Sequence, residues 1–394
     1  MSSPPPEHTA IPFWRDERIL QILAQVLVFG VVAGFLYWLY ANMTRSLAAI
    51  NLPLSFHFLE ITAGFDIGQS FIEYSRSNTY LRAYFVGVLN TLVVALWGNV
   101  FATLWGVMIG VASLSTNWLV NRLSRIYIEI FRNIPLLVFL IFWYSGLFLK
   151  FPNVREALTL GPVYFSNRGV SIPWGIPAET FSAFLYILVG ALISAVIVGV
   201  LLTLQGKKTG RMPFVTLWSL LTFLSISVIG WFILPQNPLT LDFPVKPETG
   251  FNIVGGNTLN SEFMALLSGL VLYTAAFIGE VVRAGIQAVS KGQTEAARAL
   301  GLTGFQTLRL VVFPQAMRVI IPPLTSQYLN LTKNSSLAVA VGYPDLVQVY
   351  GTIINQSGRA VEMTAIMMST YLTFSLITSL ILNWYNKRIQ LVER

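Results

Sequence analysis

Polar side chains able to do chemistry are sparse in this 394-residue chain, and most fall inside or beside long apolar runs. Lys333-Asn334-Ser335-Ser336 interrupts one such run. A Lys beside a Ser can activate the hydroxyl as a nucleophile, but Lys333 and Ser335 are two residues apart and on a helix point to different faces. Glu129 with Arg132, and Glu280 with Arg283, repeat a three-residue spacing that puts both partners on one helix face. Each pair reads as an intrahelical ion pair stabilising the cytoplasmic entry, as a substrate contact, or as half of a gate between facing helices. Gln205-Gly206-Lys207-Lys208-Thr209 approaches a phosphate-loop pattern. Leu201 stands where the first Gly is required and Lys208 displaces the Thr, so these residues read as a positive anchor after a membrane helix. There is no Cys, and His8 and His57 are the two histidines, which argues against disulfides, Cys redox chemistry and a zinc enzyme.

No catalytic cluster emerges, and the chain reads as no enzyme and no metalloprotein. A Lys inside hydrocarbon costs about 2.5–3.5 kcal/mol on insertion scales, so Lys333 has to face protein, water or a helix-end carbonyl. Lys333, Asn334 and Ser335 are accordingly candidates to line a pathway, with Asn90 and Thr91 as further hydrogen-bonding candidates.

The elements that position these residues follow from composition. The chain is 55% hydrophobic and 11% charged, with mean hydropathy +0.66, far from the balance of a soluble domain. Apolar runs near 20 residues recur, the length needed to cross about 30 Å of hydrocarbon. We place helical spans at about 19–41, 84–114, 125–148, 180–204, 213–235, 262–283, 318–342 and 361–386, an all-α integral membrane protein with about eight transmembrane helices. The polar, Pro-rich lead precedes an apolar run longer than a signal-peptide core, which reads as an uncleaved first span. With the N-terminus cytoplasmic, fifteen of the 25 Lys and Arg fall inside and eight outside, so both termini are expected in the cytoplasm. The formal +8 charge then reflects that bias and not nucleic-acid binding. Residues 42–83 read as an outer loop with an interfacial helix; 149–179 and 236–260, rich in Pro, Gly and Asn, read as outer loops around a helical pair. Gly30/Gly34 and Gly106/Gly110 permit close helix approach. Pro135 permits a kink.

One cytoplasmic stretch is unlike the rest: TEAARALGLTGFQTLRLVVFP, residues 294–314. Thr294 is a plausible N-cap, Glu295 suits the helix dipole, and Gly301 can stop the helix in a left-handed turn. A second short helix over about 304–312 leads to Pro314. The methyls of Ala297 and Ala299 leave a shallow surface that another protein could grip. The pattern Glu295-Ala296-Ala297, Gly301, Val311 and Pro314 resembles the coupling-loop signature of importer-type ABC permeases, with Phe313 in place of Leu. YIEIFRNIPLL (127–137), with Glu129, Arg132, Pro135 and Leu136, resembles the motif of polar-amino-acid permeases. Residues 87–110, 277–301 and 328–346 continue the likeness, which covers about 82–148 and 250–388. The intervening helical pair resembles the long-form permease of general L-amino-acid importers.

That resemblance implies a five-helix permease core with spans one, four and five added around it. It divides the chain into 1–83 (lead, first span, outer loop), 84–148 (first part of the core), 149–261 (extra pair) and 262–394 (second part of the core, with the coupling helix 294–301). It implies a bacterial inner-membrane subunit of an ATP-driven amino-acid importer. The expected partners are two copies of a separate ATPase that holds the ATP and Mg, a second related permease and a periplasmic binding protein. The rival from the residues is an ion-coupled secondary transporter. That reading needs intramembrane carboxylates and related halves, whereas Glu129 and Glu280 sit near inner ends and no repeat is visible.

Overall fold

A computed structural model describes residues 17–50, 52–210, 214–246 and 252–389. The N-terminal lead with Arg15, and the basic residues Arg211 and Arg394, lie outside the described residues. Backbone groups in hydrocarbon have to be satisfied within their own segment, and the apolar runs are accordingly helices. Among the described residues six are long and apolar enough to cross a membrane: α1 (Glu17–Ala49), α2 (Tyr80–Ala112), α5 (Phe181–Thr209), α6 (Val215–Ile233), α7 (Ser261–Gln287) and α12 (Ala360–Ile389). Two bent pairs bring the number to eight if each is one span.

The first bent pair corrects the continuous third span. It joins α3 (Trp118–Asn133) to α4 (Leu136–Gly146) at 108°. Pro135 does not kink a helix but precedes a new one, because the residue before a Pro is driven from the helical region, and Ile134 is extended (φ −95°, ψ 132°). The charges of Arg122, Arg125, Glu129 and Arg132 all fall on α3, leaving α4 as the apolar arm. The second bent pair corrects the seventh span. There α10 (Phe313–Asn334) passes into a 3₁₀ turn (Ser335–Val341) and then, at 55°, into α11 (Leu346–Ser357). Lys333 therefore lies in the last turn of α10 and not in mid-helix. Further departures concern 42–83: α1 runs to Ala49, and where an interfacial helix was expected the described residues hold a 3₁₀ turn, His57–Glu60.

The described residues of the loops expected to be irregular contain six short strands: β1 (Leu158–Leu160), β2 (Val163–Ser166), β3 (Gly169–Ile172), β4 (Trp174–Pro177), β5 (Leu239–Asp242) and β6 (Asn257–Asn260). An antiparallel sheet runs β1-β2-β3-β6, with Val170 opposite Leu259, and β4 pairs with β5. This sheet caps one end of the bundle; α8 (Lys291–Ala299) and α9 (Gly304–Thr307) lie at the other. At the sheet end, Ser55 N–H donates to Glu362 (3.2 Å) and Arg359 donates to the Pro53 carbonyl, tying the loop after α1 to the start of α12.

The core is organised by α7, of which 56% of the apolar window is buried, against 28% for α2 and none of α1. Water does not drive helices together inside a bilayer, so close packing has to do it. A Cβ on Gly110 would lie 2.6 Å from the Gly279 carbonyl oxygen, and one on Gly106 would lie 2.7 Å from Ile278 Cβ. The backbones of α2 and α7 thus touch through glycine, with Ala102, Ile278, Val282, Ala316 and Ile320 packed beside them. A Cβ on Gly30 or Gly34 would meet nothing within 4 Å among the described residues, so their close-approach pattern is not used there. We expect Gly110→Val to cost about 1–3 kcal/mol by overpacking and to lower the thermal midpoint of the detergent-purified chain by several degrees. Gly30→Val, measured alongside, should leave the midpoint of the isolated chain unchanged.

Candidate functional site

The stretch 291–314 is built from local hydrogen bonds. Ser290 is the extended residue before α8, so Thr294 lies inside the helix and is not its cap. At the far end Gly301 adopts φ +81°. Its N–H donates to Arg298 O (2.9 Å) and Leu302 N–H donates to Ala297 O (3.1 Å), the paired bonds that close a helix on a left-handed residue. One residue later Thr303 opens α9. Gln306 N–H donates to Thr303 Oγ1 (3.4 Å) and Thr303 N–H donates to Gln306 Oε1 (2.9 Å), a reciprocal capping box. The stop ends at Leu302 and the start begins at Thr303, so residues 300–303 between the two helices are held by hydrogen bonds from both sides.

The expected second helix over 304–312 divides. After α9, residues Leu308–Val312 form a π-turn in which Phe313 N–H reaches Leu308 O, and α10 begins with Pro314 in its first turn. Pro314 has no N–H to continue the ladder, and a wider turn absorbs the mismatch. Ala297 is 2% exposed and faces inward, which corrects its expected place on the gripping surface; Ala296 and Ala299 are exposed. Leu300, Phe305 and Leu310 are 82%, 71% and 62% exposed, with Glu295 and Arg298 beside them. The stretch therefore turns three large apolar side chains and a carboxylate outward from a rigid frame. Gln315 donates to Gln293 (3.3 Å), joining this frame to α10.

The two Glu/Arg pairs separate. Arg283 holds Glu280 through Nε (2.9 Å) and Nη2 (2.5 Å), a two-pronged charge-assisted contact. Arg132, from the end of α3, approaches the same carboxylate at 3.9 Å and lies 5.8 Å from the Phe277 ring centre. Glu280 thus joins α3 to α7. Glu129 is exposed, and among the described residues it has no ion-pair partner; its backbone carbonyl accepts from Asn133.

The polar residues of the apolar runs also fall into two sets. Lys333 is exposed and Asn334 half-buried at the end of α10, while Ser335 is buried and donates to Thr332 O (2.7 Å). Asn90 and Thr91 are wholly buried. Asn90 Nδ2 donates to Gln69 O (2.7 Å) and Pro344 O (2.8 Å), and Leu346 N–H donates to Thr91 Oγ1 (3.0 Å). They hold the unwound backbone between the 3₁₀ turn and α11. Asp345, which the sequence reading passed over, is also wholly buried; its Oδ1 caps α11 at Gln348 N (2.9 Å), and among the described residues its Oδ2 has no hydrogen-bond partner. Its position before an apolar helix, three residues ahead of Gln348, is the signal that could have revealed the cap. Residues Gln205–Thr209 are the last turns of α5, ended by Gly210 at φ +69°; the segment is helix and not a phosphate loop.

Residues 195–391 match the family described as binding-protein-dependent transport system inner membrane component. The chain is 46% identical to the general L-amino acid transport system permease protein AapQ of Rhizobium johnstonii, over 96% of this chain and 94% of that protein. It is 40% identical to the glutamate/glutamine/aspartate/asparagine transport system permease protein BztB of Rhodobacter capsulatus, over 96% of each. A solved amino acid ABC transporter chain superposes with a TM-score of 0.47 at 21% identity, covering 78% of this chain and 95% of the other. The ion-coupled alternative finds no support among these relatives. The chain belongs to the inner-membrane permease subunits of binding-protein-dependent ABC importers for amino acids.

Proposed function

We propose that the chain forms one half of the membrane pathway of a broad-specificity L-amino-acid importer, with α8 and α9 as its coupling element. The observation that carries this reading is the adjoining helix stop and capping box at 297–306, beside which Glu295, Leu300 and Phe305 face outward. A separate ATPase, binding ATP and Mg and present in two copies, would receive that surface, and its closure would reach α10 through the π-turn. The breadth of substrate is carried over from the general L-amino-acid relative. A second, related permease would complete the pathway, a periplasmic binding protein would deliver the amino acid, and both termini would be cytoplasmic. The permease core would comprise 84–148 and 262–394, with 149–261 added at the outer side. Lys333 and Asn334 remain our candidates for the pathway wall, with buried Ser335, Asn90 and Thr91 shaping it from behind. The contact of Arg132 with Glu280 would be the cytoplasmic gate.

The coupling assignment is tested by purifying the tagged chain from its native membrane in mild detergent. The wild type should bring an ATPase and a second permease with it. Gly301→Val puts a branched side chain at φ +81°, a strain of about 1–2 kcal/mol, and with Glu295→Ala should lose the ATPase or its transport-coupled hydrolysis. A chain that runs alone and transports on an ion gradient without ATP would overturn the reading. At the gate, Glu280→Gln should cost about 1 kcal/mol or more, since it leaves Arg283 and Arg132 without their carboxylate, and should raise hydrolysis in the absence of substrate. Glu129→Gln, measured by the same thermal melt and hydrolysis assay, should change neither.

A further inference from the structure

At the sheet end of the bundle a cavity of about 560 Å³ opens between the loop before α2, the β2–β3 turn, the first turn of α7 and α11. Its volume lies in the range that takes small ligands. Polar residues line much of it, among them Asp66, Asn167, Arg168, Asn260, Glu262 and Gln348. Their charges are not equally available. The Arg76 guanidinium donates to Asp66 through Nε (2.7 Å) and holds its carboxyl below the usual carboxylate range, so that charge is already balanced. Arg168 meets the neutral side-chain oxygen of Asn252, and among the described residues no carboxylate forms an ion pair with it. Glu262 accepts a hydrogen bond from Tyr144 Oη (2.8 Å), and no cation pairs with it among the described residues. The cavity therefore offers one guanidinium and one carboxylate, each held by a neutral partner and, among the described residues, each without an ion-pair partner.

The frame around these two groups is fixed. Ser261, 1% exposed, donates from Oγ to the Asn167 carbonyl (2.8 Å), which fastens the β2–β3 turn to the first residue of α7. Asn260 caps α7 through Phe263 N–H (2.8 Å), and its own N–H donates to Gln69 Oε1 (3.3 Å). Arg168 and Glu262 are thus carried by adjoining anchored segments, one from the added region and one from the core.

We propose that this cavity is a receiving site for the free amino acid, in which Arg168 takes the α-carboxylate and Glu262 the α-ammonium. A zwitterion supplies both missing counter-charges at once and places no demand on the side chain. The segment between α4 and α7 thereby contributes half of the recognition. The choice of ligand rests on the importer reading.

The test uses the intact assembly purified with its ATPase and partner permease, without binding protein or nucleotide. Equilibrium dialysis with radiolabelled L-alanine should show saturable binding, displaced by unlabelled L-glutamine but not by propionate or ethylamine, each of which carries one of the two charges. Arg168→Gln and Glu262→Gln should each weaken L-alanine binding at least tenfold while ATPase recovery and the thermal midpoint stay unchanged. Asn252→Ala should retain binding. Absence of L-alanine binding, equal displacement by propionate, or binding untouched in both variants would overturn the site. Failure to recover an ATPase from the wild type would instead count against the coupling reading.

Discussion

The contact of α2 with α7 through Gly106, Gly110 and Gly279 is the constraint on which the remaining arrangement depends. Inside a bilayer an apolar side chain gains little by leaving lipid for protein, so the helices cohere through fit. Glycine removes the side-chain layer and lets the two backbones meet, which gives Ile278 and Val282 close neighbours on α2 and a seat for α10. Because α7 leads directly into α8, any displacement at α8 is referred to the most firmly held helix of the chain. The α3–α4 arm is joined to the same helix by Arg132 near one end and by the hydrogen bond from Trp143 to Ser268 (2.9 Å) towards the other.

Polarity within the bundle is used in two ways. Asn90 and Thr91 spend their hydrogen bonds on backbone that has left the helix, the condition under which unwound chain is tolerated at depth. Lys333 and Asn334 are not consumed in this way and stand at the end of α10. The same division appears among the acids: Glu280 joins α3 to α7 and Glu362 holds the loop after α1 through Ser55 N–H, whereas Glu129 and Glu295 face outward.

Much of this organisation was legible in the residues. Long apolar runs located the six continuous helices because the solvent leaves the backbone no alternative. Gly301 announced its left-handed turn, since a Cβ there would be strained. What escaped the sequence depended on partners far away in the chain. Nothing local shows that Pro135 ends one helix and starts another at 108°, because an isolated Pro is also compatible with a kink. Leu158-Thr159-Leu160 and Val170-Ser171-Ile172 alternate over three residues only, too few to distinguish from loop until β6 pairs with β3. The chemistry of Arg168 and Glu262 was invisible for the same reason: 94 positions apart in number, they are brought to one cavity by the Ser261–Asn167 hydrogen bond.

The π-turn at 308–312 separates two surfaces that a uniform α-helix would lock together. Each residue of an α-helix advances the face by about 100°, so a residue added or lost upstream of α10 would otherwise rotate its inward side chains out of their seats beside α2 and α7. A wider turn works as a phase shifter at that junction. The surface carried by α8 and α9 and the surface that meets the bundle can then keep their own rotational settings, each independent of the other.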